Sequence, residues 1–121
     1  MKLLLHTETV IDSAHKLVGY KGKCSATHGH SWRVELWFSA DESLKDEVGI
    51  IVDFGIVKQL TELLDHKYLN DVINVNPTAE NLTVWIYRWL HSQLHTEIGV
   101  KVKVYETSLE KETWCQVGDF E

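Results

Sequence analysis

Proline, methionine and cysteine are scarce in this 121-residue chain: one proline, one methionine and two cysteines. The lone proline, Pro77, follows Asn76 where a turn is expected in any case, and neither a repeat nor a low-complexity linker divides the sequence. Residues 1–121 therefore read as a single domain with one core. Cys24 and Cys115, in a chain without a secretory signal, favour reduced thiols in a cytoplasmic setting, while their pairing stays open. Long apolar runs are missing too. His6, Glu8 and Asp12 fall where a signal peptide needs continuous apolar residues, so nothing here targets or spans a membrane. Basic charge is in deficit, and a net charge of −6 argues against nonspecific binding to nucleic acid. What remains is ordinary for a globular domain: 44% hydrophobic and 25% charged residues.

Hydrophobic periodicity supplies the elements. Residues 2–15 read as a strand with Leu3, Leu5, Thr7, Thr9, Ile11, Ser13 and His15 on one face. Residues 28–39 alternate more cleanly, His28, His30, Trp32, Val34, Leu36 and Phe38 forming one row. The glycines and small polar residues between them read as a loop. Asp53 is placed to cap a helix through about residue 65, with Ile56, Val57, Leu60, Leu63 and Leu64 at helical spacing. Thr78 can cap a second helix carrying the stripe Leu82, Trp85, Ile86, Trp89 and Leu90, expected to end near Gly99. Strands at 100–107 and 113–118 complete the order ββ, α, α, ββ. That order predicts an α+β fold, an antiparallel sheet covered on one face by two helices.

In an extended chain His28 and His30 project to the same side, so both can reach one metal ion. His15 ends the inward row of the preceding strand, and hairpin pairing would bring it alongside as a third nitrogen. Three imidazoles with an open fourth position are a common catalytic zinc arrangement. Two core histidines satisfied by backbone would give the same HGH letters, and Cys24 as a fourth ligand would make the site structural. Asp65 and His66 form a carboxylate–imidazole pair in which the acid can orient the ring, although a helix C-terminus also attracts histidine. Glu106 ends the inward row of Val100, Val102 and Val104, where a carboxylate needs a donor; a ligand with two adjacent N–H groups, a buried ion pair or an edge open to water would each serve. His91 and His95 have helical ligand spacing but lack the intervening glutamate of a metalloprotease, so they read as surface residues. Lys16, Lys21 and Lys23 lie near the histidines and suit an anionic small molecule, or are ordinary solvated lysines.

Six separate segments, in order, then carry a family resemblance: AHKL around His15, CSATHGH from Cys24 to His30, VDF at Val52 to Phe54, LDHKYLN at Leu64 to Asn70, PTAEN at Pro77 to Asn81, and YET at Tyr105 to Thr107. Over essentially its whole length the chain resembles the superfamily of 6-pyruvoyl- and 6-carboxy-tetrahydropterin synthases. The C-x-x-x-H-G-H spacing is similar to the bacterial 6-carboxy branch of queuosine biosynthesis. The resemblance implies zinc on His15, His28 and His30, Cys24 as catalytic base, Asp65 with His66 completing a proton-transfer triad, and Glu106 anchoring a pterin ring. Thr78 and Thr107 would line the pterin pocket, with Ala79 departing from the threonine of the biopterin branch. It further implies the tunnelling fold, in which sheets join into a trimeric β-barrel, often stacked as a hexamer, with active sites at subunit interfaces. The implied reaction converts 7,8-dihydroneopterin triphosphate into 6-carboxy-5,6,7,8-tetrahydropterin, acetaldehyde and triphosphate. The alternatives are a 6-pyruvoyl-tetrahydropterin synthase, which stops at triphosphate elimination and internal redox transfer, and a noncatalytic module with a structural zinc.

Overall fold

The computed structural model describes residues 1–22, 25–107 and 112–121. Alternating inward residues build four strands, β1 (Lys2–His15), β2 (His28–Asp41), β3 (Gly99–Tyr105) and β4 (Trp114–Gly118). They form one antiparallel sheet in the order β1-β2-β3-β4. Three helices follow the hairpin: α1 (Gly55–Leu64), a single turn α2 (Leu69–Val72), and α3 (Ala79–Gln93). One face of the sheet, with Ile11, Trp32, Val34, Leu36, Phe38 and the valines of β3, packs on Leu60 and Leu64 of α1 and on Leu82, Ile86 and Leu90 of α3. Each of these side chains removed from water contributes about 1.5–3 kcal/mol, and this is the main force pressing helices onto sheet.

Helix starts match the expected positions to within a residue, whereas α3 ends six residues before the expected Gly99. Asp53 does not occupy the cap of α1; Phe54 does, without a side-chain bond, while Asp53 Oδ1 accepts from Gly55 N at 2.8 Å and closes the turn just ahead. Thr78 caps α3 as anticipated, its hydroxyl accepting from Asn81 N at 3.0 Å. That helix stops at Gln93, because Leu94 turns extended and the chain closes a tight turn from His95 O to Ile98 N before β3 begins. Gly99 is needed for a different reason: a Cβ there would stand 3.1 Å from the Phe120 ring. The α2 turn had no periodic signal, being only four residues long.

The β1–β2 hairpin pairs 14 residues on each side, from Lys2 with Asp41 to His15 with His28. β3 reaches only from Arg33 to Ser39 along β2, so the hairpin's last part, His28 to Trp32, extends past it. On the outer face, away from the helices, Glu35 is buried under Tyr105 and Arg33, each donating to Oε1 at 2.6 Å. Burial alone would raise the Glu35 pKa, but those two donors and the Arg33 charge outweigh it and hold the carboxyl below its ordinary value. His91, expected at the surface, is half-buried and shares the Asp119 carboxylate with Tyr87; its Nε2 lies 2.7 Å from Oδ2. His95 is exposed. Trp85 and Trp89 pack against the core. No helix among the described residues is long and apolar enough to cross a membrane.

Candidate metal centre and active site

Strand register assembles the three histidines. His15 is the cross-strand partner of His28, and His30 lies two residues on, facing the same way. Their ring centroids are 4.5, 4.8 and 5.0 Å apart and the rings stand steeply to one another. One nitrogen from each lies within 4.8 Å of the other two. Trp32 packs its ring edge-to-face against His15 and His30 and walls the group from the core.

The outer nitrogens of two rings are already committed. His15 Nδ1 lies 2.7 Å from Pro77 O, and His28 Nδ1 lies 2.7 Å from Ala26 O. A carbonyl only accepts, so both Nδ1 atoms carry hydrogen, and in the neutral rings both Nε2 atoms present lone pairs. Those two Nε2 atoms are 2.9 Å apart. Bare lone pairs repel at that distance; a cation between them removes the conflict. His30 Nε2 is buried and makes no hydrogen bond among the described residues, although the Glu106 carboxylate lies 3.2 Å away. Burial pushes the His30 pKa below the ordinary histidine value, His15 and His28 push it the same way, and Glu106 opposes them. Three imidazole nitrogens, two on rings oriented by main-chain carbonyls and one beside a carboxylate, fit a divalent metal with nitrogen preference.

Glu106 follows β3 and places Oε1 3.2 Å from His30 Nε2, at the rim of the histidine group. Its backbone N–H donates to Thr113 O at 3.1 Å, which fixes the chain where the strand ends. Asp65 and His66 come together differently. Asp12 N donates to Asp65 Oδ1 at 2.8 Å and Asp12 O accepts from His66 N at 2.7 Å, so the edge of β1 grips both residues through one peptide segment. His66 Nε2 then lies 3.5 Å from Asp65 Oδ2, with the imidazole 81% exposed. His66 has φ 54°, the left-handed region that disfavours a side chain. Its ring borders a shallow, open depression lined by Asp12, Gly29, His30, Ser31, His66 and Tyr68. Thr78 is half-buried beside the Pro77 carbonyl that orients His15, and Thr107 is half-buried next to Glu106. Cys24 and Lys23 lie outside the described residues; Cys115 in β4 is a half-buried free thiol and Lys16 and Lys21 are exposed.

The carbonyls of Pro77 and Ala26 had no counterpart in the sequence, whereas Trp32 continues the inward row of His28 and His30 and was visible there.

Residues 4–117 match the profile of a family described as 6-pyruvoyl tetrahydropterin synthase. The 6-carboxy-5,6,7,8-tetrahydropterin synthase of Synechocystis sp. is 33% identical over 116 residues, covering 86% of both chains. A putative 6-carboxy-5,6,7,8-tetrahydropterin synthase of Archaeoglobus fulgidus is 28% identical over 120 residues, 96% of each. Among solved structures, the 6-pyruvoyl tetrahydropterin synthase of Caenorhabditis elegans superposes with a TM-score of 0.74 at 18% identity, covering 97% of this chain and 95% of that one. The 6-pyruvoyl tetrahydropterin synthase of Plasmodium vivax superposes at 0.70 with 17% identity over 98% of each. These structures share the fold.

Proposed function

We infer the reaction from one premise: this chain belongs to the 6-pyruvoyl tetrahydropterin synthase family. Within it, we propose a zinc-dependent lyase that converts 7,8-dihydroneopterin triphosphate and water into 6-carboxy-5,6,7,8-tetrahydropterin, releasing acetaldehyde and triphosphate, as a step toward queuosine and related 7-deazapurines. The observation that carries this reading is the facing pair of imidazole lone pairs beside the buried Nε2 of His30. The 33% identical relative named for the 6-carboxy reaction supports the branch.

Zinc held by His15, His28 and His30 would supply a Lewis acid that acidifies the hydroxyls of the substrate side chain. Cys24, as a thiolate, removes a carbon-bound proton. His66 moves that proton onward, with the Asp65 carboxylate 3.5 Å from its Nε2. Glu106 accepts the adjacent N–H groups of the pterin, and its carboxylate 3.2 Å from His30 puts ring recognition next to the metal. Thr78 and Thr107 line the same pocket.

The wide exposure of His66 fits an active site completed by a neighbouring subunit. Among the described residues, β1 from Lys2 to Val10 has no backbone partner on the side away from β2, an edge suited to a second sheet. The proposed assembly is a trimeric barrel or its stacked hexamer, which light scattering resolves as three or six times 14.0 kDa.

Incubating the zinc-loaded protein with dihydroneopterin triphosphate tests the reaction. Acetaldehyde and the 6-carboxy product are expected; accumulation of the pyruvoyl product would assign the chain to the other activity. Cys24→Ala is expected to stop turnover and keep zinc content, whereas loss of both would assign the metal a structural role.

A further inference from the structure

Two asparagine side chains stand in for a missing strand beside the metal ligands. Directly after His15, Lys16 N donates to Asn70 Oδ1 at 2.9 Å and Lys16 O accepts from Asn70 Nδ2 at 2.9 Å. Two residues later, Val18 N donates to Asn76 Oδ1 at 2.9 Å and Val18 O accepts from Asn76 Nδ2 at 2.8 Å. Each amide satisfies one donor and one acceptor of the same residue, the pattern that a paired strand would provide. The grip is chemically selective. An aspartate of the same shape would set a carboxylate oxygen against a carbonyl oxygen at each Nδ2 position.

The second amide belongs to the turn that also orients His15. Asn76 O accepts from Thr78 N at 2.9 Å and from Asn81 Nδ2 at 2.8 Å, so the turn is rigid on its helix side. The next carbonyl, Pro77 O, receives His15 Nδ1 at 2.7 Å. The distance of that carbonyl from the ring depends on what ties the turn to the chain leaving β1, and Asn76 on Val18 is such a tie, with Asn70 of α2 holding Lys16 beside it.

We propose that Asn76, supported by Asn70, is a positioning residue of the metal centre: it fixes the Pro77 carbonyl against His15 Nδ1 and so aims His15 Nε2 at the ion. This deepens the zinc-dependent reading and rests on it. The partner that holds a ligand by its other ring nitrogen, here the Pro77 carbonyl, typically alters metal affinity about 10- to 100-fold when removed, and Asn76, acting through that carbonyl, belongs at the lower end of the range.

The test uses the full chain with Asn76→Asp, Asn76→Ala and Asn70→Ala, and zinc itself as the probe. Competition with a chromogenic chelator gives the zinc Kd, cobalt substitution gives a visible spectrum sensitive to ligand geometry, and NMR follows the His15 Nδ1 proton. Asn76→Asp is expected to weaken zinc binding at least tenfold, shift the cobalt bands and speed exchange of the His15 ring proton. Asn70→Ala should act in the same direction more weakly. As a control for lost stability, Leu90→Ala opens a core cavity away from the turn and should leave all three readouts near wild type in the folded protein. A Kd within twofold of wild type for both Asn76 variants overturns the inference, as does an equal loss in the Leu90 control. None of these readouts needs substrate. A chain that shows the Asn76 effect without turnover refutes the reaction alone, and turnover with an unaltered Kd in the variants refutes the clamp alone.

Discussion

His66 shows function and backbone preference at odds within one residue. A left-handed φ of 54° costs a side-chain-bearing residue about 1 kcal/mol or more, and glycine or asparagine would occupy it more comfortably. A chain selected for stability alone has no reason to keep histidine there. His66→Gly should therefore melt at the wild-type temperature or a few degrees above it, while turnover falls at least tenfold; a fully active variant would remove His66 from the proton path. Glu106 invites a complementary measurement. If it receives the pterin N–H groups, Glu106→Gln loses a charge-assisted bond of about 1.5–3 kcal/mol, raising KM roughly 10-fold or more with zinc content unchanged. Unchanged KM would leave the contact with His30 as its whole role. Residues with distinctive chemistry, such as His15, His28, His30 and Glu106, were visible in the sequence because period-two placement fixes which way they face. The conformation of His66 was not, since nothing in a pattern of apolar residues encodes a positive φ.

Among the elements, the long strands and α3 were legible because each carries several turns or alternations of one period. Boundaries were less so. Gly99 looked like a helix stop, yet it opens β3, where the Phe120 ring leaves little room for a side chain. The four-residue α2 and the amide grips of Asn70 and Asn76 leave no periodic trace, being built from side-chain bonds to distant backbone. Thr78 was recognisable, since a hydroxyl residue before an apolar helical stripe has one common use. Thr78→Ala should cost about 1 kcal/mol, read as a fall of several degrees in the melting temperature of the metal-free protein. A larger drop in metal affinity than in stability would tie the cap to the Pro77 turn as well.

On the scale of the whole molecule, one carboxylate gathers several of the bonds that fasten the C-terminal end. Asp119 accepts from Tyr87, His91 and Val100 N, linking α3 to the sheet beyond β4. Burial alone would raise its pKa, but the three donors prevail and hold it below the ordinary 3.8. A depressed carboxyl contributes stability that is present above about pH 4 and is lost as pH falls through the lower folded value. Asp119→Asn should be less stable at neutral pH and should lose less on acidification below pH 4 than wild type does, as denaturant titrations at stepped pH would report. A variant with the wild-type acid slope would acquit Asp119 of this coupling.

Because β3 stops at Arg33, the part of the hairpin bearing the histidines has no third strand beside β2, and its backbone is tied from the β1 side, to residues 64–77. The ion would then act as a rivet that joins His28 and His30, on the less supported strand, to the anchored His15. With chelator present, amide protons at residues 28–31 should trade with solvent much sooner, while those of β3 keep their pace; equal change in both would mean the tip is already stiff without it. The same span that brings the ligands within reach of one another also makes order at that tip conditional on what they hold.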